Sequence, residues 1–160
     1  MPGGTKMVRT ENMGTTRRRT AGDTAVDGLL AGAVAGIAMA VYLVVAGLLA
    51  GEGPAVVLAR FDPSGAGAAS PLIGAVMHLA VSAVYGLLFG LIYRLIGRDR
   101  LAGRAAGALM GLVYGLVLLL VAQGLALISA SVPLREISAL HFALAHLIYG
   151  LLLGWLVARR

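Results

Sequence analysis

The chain has 160 residues, of which 59% are hydrophobic and only 12% charged, against roughly 25% charged in soluble domains. A soluble fold of this size could not bury so much apolar surface, so lipid is its natural solvent. The net charge of +6 comes from clusters between apolar segments, not from a nucleic-acid-binding face, and the lack of cysteine excludes disulfides, thiol catalysis and cysteine-held metals.

Residues 1–27 carry Lys6, Arg9, Arg17, Arg18 and Arg19 in a Gly/Thr-rich context. They read as a disordered, basic, cytoplasmic tail. The arginine triplet resembles the front of an export signal. However, the apolar run that follows is longer than a signal core of about 7–15 residues, and Asp23 and Asp27 intervene. Met7 and Met13 are alternative starts.

No charge occurs between Asp27 and Glu52, Asp62 and Arg94, Arg104 and Arg135, or Glu136 and Arg159. A membrane span needs about 20 apolar residues, and each gap is long enough. The expectation is an all-α integral membrane protein with a domain over 28–160. Its spans fall near 28–50, 71–94, 104–128 and 137–158. In the first outer link, Pro54 and Pro63 bracket VVLARF. That stretch reads as an ordered surface loop in preference to a short interfacial helix. The last outer link, SASVPLREIS, brings Ser138 close to a helix cap. Gly65, Ala66 and Gly67 are loop composition, not a phosphate cradle.

All basic residues except Arg60 and Arg135 fall on the tail, the link between spans two and three, or the C-terminus. The positive-inside rule then places both termini in the cytoplasm.

The first span contains AGAVAGIA and the third AGALMGLV; the second contains YGLLFGL and the fourth YGLLLGW. This reads as a tandem duplication of a two-helix hairpin, with both copies in the same orientation. Glycines recur every four residues: Gly28, Gly32 and Gly36; Gly86 and Gly90; Gly103, Gly107, Gly111 and Gly115; Gly150 and Gly154. Such spacing lines one helix face with small residues and lets backbones approach. The cytoplasmic half of the bundle is expected to pack tightly and the outer half to splay.

Polar residues collect in that outer half. His78, Gln123 and His146 fall at similar depth, on the order of 10 Å below the outer surface. His141 lies nearer the surface. Ser82 and Tyr85 share a helix face with His78, and Tyr149 shares one with His146. Three roles compete for these residues. The simplest is hydrogen bonding between helices, at about 0.6 kcal/mol per bond. The second is axial ligation of a b-type haem by His78 with His146 or His141. The third is a lipid or quinone headgroup held by the histidines with Ser82, Tyr85, Gln123 and Tyr149. A copper or zinc site is weaker, since no carboxylate or cysteine completes the shell. No mid-span charge suits a proton-coupled carrier, and no hydrolase or nucleotide-binding motif is present.

At AHLIYGLLLGWLV and MHLAVSAVYGLLFGLIY, the chain resembles a broad group of small four-span bacterial membrane proteins. In that group a histidine shortly precedes a small-residue motif in the second and fourth spans. The resemblance covers residues 28–158 and implies a bacterial inner-membrane protein, but no activity. The leading expectation is a non-enzymatic scaffold or accessory subunit of a membrane complex, meeting lipid and a membrane-protein partner or a second copy. A haem-binding electron-transfer subunit and a small transport or lipid-binding module are the alternatives.

Overall fold

In a computed structural model, residues 20–64, 69–96, 103–128 and 137–159 are described. They form α1 (Ala21–Leu49), α2 (Pro54–Ala59), α3 (Pro71–Ile96), α4 (Arg104–Ile128) and α5 (Ala139–Ala158), with no strand among them. α1, α3, α4 and α5 are long and apolar enough to cross a membrane. The expected tail over residues 1–19, the Gly65-Ala66-Gly67 stretch and most of the last outer link lie outside the described residues.

The first span begins earlier than expected. Thr20 caps α1 through a capping box: its hydroxyl oxygen accepts from the Asp23 amide, and the Asp23 carboxylate accepts from the Thr20 amide. Asp23 also suits the positive end of the helix dipole. Asp23, placed within the expected tail, therefore opens the helix, and Asp27 lies inside it. At the last span, Ser138 occupies the N-cap position, but its side chain makes no capping bond.

α2 corrects the expected surface loop. Pro54 sits in its first turn, where a missing amide proton costs nothing. Its docking was hidden because it depends on distant glycines. A Cβ on Gly47 would strike the Val57 side chain, and one on Gly74 would strike the Leu58 carbonyl. With no side chain at either place, α2 wedges between α1 and α3, and Val57 becomes 2% exposed. Two ionic clusters then hold the link. Arg60 makes a two-pronged pair with Glu52, both bonds 2.7 Å. Asp62 accepts from the Ser64 amide and hydroxyl and from the Ser70 amide, at 2.9, 2.6 and 2.6 Å.

These bonds make the link acid-sensitive. The Ser64 hydroxyl, with the Ser70 and Ser64 amides, holds the Asp62 carboxyl below its ordinary value of 3.8. The Arg60 guanidinium holds the Glu52 carboxyl below its ordinary 4.5. Both contributions are complete above those ordinary values and disappear as pH falls through the lower folded ones. Acidification through those lower folded values should therefore reduce the protection of the Ser64 and Ser70 amides, relative to their intrinsic exchange rate at each pH, while the long helices persist. Amide exchange followed by NMR reads this directly. An Asp62→Asn protein should lose most of the effect at those amides, and an unchanged profile would refute the assignment.

Two antiparallel pairs form the bundle: α1 against α3 and α4 against α5, with α1 also packed on α5. In the first pair, Gly28 faces Gly86 and Gly90, Gly32 faces Gly86, and Gly36 faces Ser82. In the second, Gly107 faces Gly154, Gly111 faces Gly150 and Gly154, and Gly115 faces His146 and Gly150. Most of these contacts are backbone on backbone, which glycine alone permits. Gly103 is not part of the stripe. It precedes α4 with φ +104° and has open space around it.

The crossings bear on the repeat. If Tyr85 is set against Tyr149, the contacts equate Gly28 with Gly111 and Gly32 with Gly115. The match of AGAVAGIA to AGALMGLV instead equates Gly32 with Gly107. The first and third spans are thus out of step with that match by about two turns. On the outer faces, Val34, Val41, Leu109 and Leu120 stand 50–71% exposed, as lipid-facing residues would.

Candidate functional site

The glycine crossings occupy the half of the bundle near the chain termini. Beyond them the helices spread around a cavity of about 200 Å³. α1 contributes Met39, and the link after α2 contributes Phe61. His78, Val81, Ser82 and Tyr85 come from α3; Leu118, Ala122 and Leu125 from α4; Phe142, His146 and Tyr149 from α5. Val81 and Leu125, 44% and 57% exposed, form a rim between α3 and α4. The opening is therefore lateral, toward the region acyl chains would occupy.

Helix spacing puts the polar wall together. His78, Ser82 and Tyr85 lie on one face of α3, and His146 and Tyr149 on one face of α5. His78 Nε2 donates to the Gly36 carbonyl at 3.0 Å, tying α3 to α1. His146 Nδ1 donates to the Phe142 carbonyl one turn earlier at 2.8 Å. Aromatic rings flank both imidazoles: Phe61 lies 4.7 Å from His78 and Phe142 4.6 Å from His146, centroid to centroid.

Two tyrosines tie α3 to the second hairpin. Tyr149 donates to the Ser82 carbonyl at 2.7 Å and Tyr114 to the Tyr85 carbonyl at 2.9 Å. Phe89, fully buried, packs under Tyr114 at 5.1 Å. This layer floors the cavity.

Five of the residues singled out from the sequence thus meet at one place: His78, Ser82, Tyr85, His146 and Tyr149. Gln123 does not. It is exposed, and its neighbour Ala122 takes the cavity position; similar depth along a helix says nothing about which way a side chain turns. His141 is separate too. Its Nδ1 shares a 2.9 Å hydrogen bond with the Tyr42 hydroxyl. It borders a second cavity of about 130 Å³ beside Glu52 and Arg60.

Met39, Phe61 and Tyr114 were not foreseen. Phe142 was readable in principle, because it lies one helical turn before His146. Tyr114 was readable only as the tyrosine of the third span. Nothing local in the sequence brings Phe61 onto His78, since that needs α2.

The geometry does not fit haem. A haem macrocycle is too large for a cavity of about 200 Å³, and His141, one of the paired ligands considered, is elsewhere. Among the described residues no three His, Cys, Asp or Glu side chains cluster as a metal site.

What fold and site define is a protein with four helices of membrane-spanning character and a laterally open, one-sidedly polar cavity. No known protein family, curated protein or solved structure matches the chain.

Proposed function

We propose that this chain is a multi-pass protein of the bacterial cytoplasmic membrane that holds a small amphiphilic molecule between α3 and α4. It serves as a non-enzymatic ligand-holding or accessory subunit. The observation that carries this reading is the lateral cavity: apolar where Leu118, Ala122 and Leu125 line it and polar where His78 and His146 do. A molecule with an apolar body and one polar group matches that division and can enter from the bilayer without crossing it. The sequence resemblance to four-span bacterial proteins supports the inner-membrane placement. A hairpin duplication belongs to the same proposal, with the first span shifted by about two turns relative to the match of AGAVAGIA to AGALMGLV.

The scaffold reading is less well supported. The glycine stripes that could have joined a partner are used inside the chain, helix against helix.

Extraction of the purified protein with organic solvent, followed by mass spectrometry, tests the holding function. The wild type should release one amphiphile in near-equal molar amount. Ala122→Phe, which fills the cavity, should release far less. Equal release from both proteins, or none from either, would contradict the reading.

Topology is part of the proposal and has a clean test, because the chain has no cysteine. Gly53→Cys stands in open space at the α2 end, and Arg159→Cys at the C-terminal end. In intact cells a membrane-impermeant maleimide should label the first and spare the second. The reverse pattern would invert the orientation.

A further inference from the structure

The hydrogen bonds around the cavity sort its polar atoms by role. A carbonyl oxygen only accepts, so His78 carries its proton on Nε2, toward Gly36, and His146 carries its proton on Nδ1, toward Phe142. A doubly protonated ring would put a charge in an apolar interior, which is costly. The opposite nitrogens, Nδ1 of His78 and Nε2 of His146, therefore hold lone pairs. An N–H given to a backbone carbonyl also makes the other ring nitrogen a better electron donor.

Two of the hydroxyls around the cavity are committed. The hydroxyls of Tyr114 and Tyr149 are used on the Tyr85 and Ser82 carbonyls. Among the described residues, no group donates to Nε2 of His146, although this side chain is only 7% exposed and borders the cavity. An acceptor that opens only onto a largely apolar cavity gains from a donor placed there. What His146 Nε2 lacks is a donor.

We infer that the cavity selects an amphiphile by a donated hydroxyl, a hydroquinone-type phenol above all, and discriminates against the matching ether or quinone. The ligand O–H would go to His146 Nε2, and its ring would lie among Phe61, Phe142 and Tyr85. This inference rests on the cavity holding an amphiphile at all, as proposed above.

The test uses the full chain in detergent, titrated calorimetrically with 4-hexylphenol, 4-hexylanisole and 1-decanol. The first two differ only in the O–H. 4-Hexylphenol should bind about tenfold more tightly than 4-hexylanisole, the effect of satisfying one buried acceptor. His146→Leu should bring 4-hexylphenol down to the level of 4-hexylanisole and leave the ether unchanged. Gln123→Ala, exposed away from the cavity, should alter neither.

The alcohol separates two sources of the hydroxyl. Decanol binding as well as the phenol would identify a lipid alcohol, and weaker binding a phenolic ring. Equal affinity for phenol and ether would overturn donor selection and leave the cavity reading standing. No binding of any probe would remove both. If His146→Leu does not fold, the wild-type comparison of phenol with ether still decides.

Discussion

Gly111→Ala lowers the stability of the bundle by about 2–3 kcal/mol, while Gly124→Ala on the same helix leaves it unchanged to within about 0.5 kcal/mol. The chemistry of the two substitutions is identical. Only the surroundings differ. A methyl group at position 111 would strike the Gly150 carbonyl and come within 2.8 Å of Gly154 Cα. These are backbone atoms with no rotamer to move to, so α4 and α5 must part. Parting them also loosens the contacts of Gly107 with Gly154 and of Gly115 with His146. At position 124 nothing lies within 4 Å, and alanine is the better helix former. Unfolding both variants by added SDS in bicelles, followed by circular dichroism, measures the difference. Equal losses would mean that the α4–α5 crossing is not set by backbone contact.

Phe89→Ala is expected to cost about 2 kcal/mol, less than the roughly 3–5 kcal/mol typical of such a truncation in a water-soluble core. The reduction follows from the solvent. In water, the unfolded state exposes phenylalanine unfavourably. In a bilayer, a separated helix exposes it to acyl chains at little cost, so the transfer contribution largely vanishes. What remains is the void and the lost ring contacts with Tyr93 and Tyr114, at 6.0 and 5.1 Å, each worth about 0.5–1.5 kcal/mol. The loss should also be local. The α1–α3 and α4–α5 pairs keep their glycine contacts, whereas the Tyr114 bond to the Tyr85 carbonyl weakens. The same SDS titration gives the magnitude. A loss above 4 kcal/mol would show that burial from water, not packing, drives this core.

The four spans were legible because absence of charge over some 20 residues is a direct consequence of bilayer thickness. Glycine spacing was equally legible as a packing face, because a step of four residues returns to one side of a helix. Which glycines meet was not. The two-turn offset between AGAVAGIA and AGALMGLV is decided by how two helices slide along each other, which neither sequence records alone. The histidines illustrate the same boundary. Their depth could be counted along each helix, and His78 and His146 do meet. The side on which Gln123 points, and the capture of His141 by Tyr42, depend on helix rotation and on α2, whose docking needs Gly47 and Gly74 from elsewhere in the chain.

The most direct measurement of the central claim is calorimetric titration of the wild type and of Ala122→Phe with 4-hexylphenol in the same detergent. If a molecule is held between α3 and α4, the wild type binds one equivalent and saturates. The filled-cavity variant, with the same thermal midpoint, then shows only the linear partitioning of the probe into micelles. Saturable one-to-one binding in both proteins would place the ligand elsewhere, and linear partitioning in both would leave the cavity without a function.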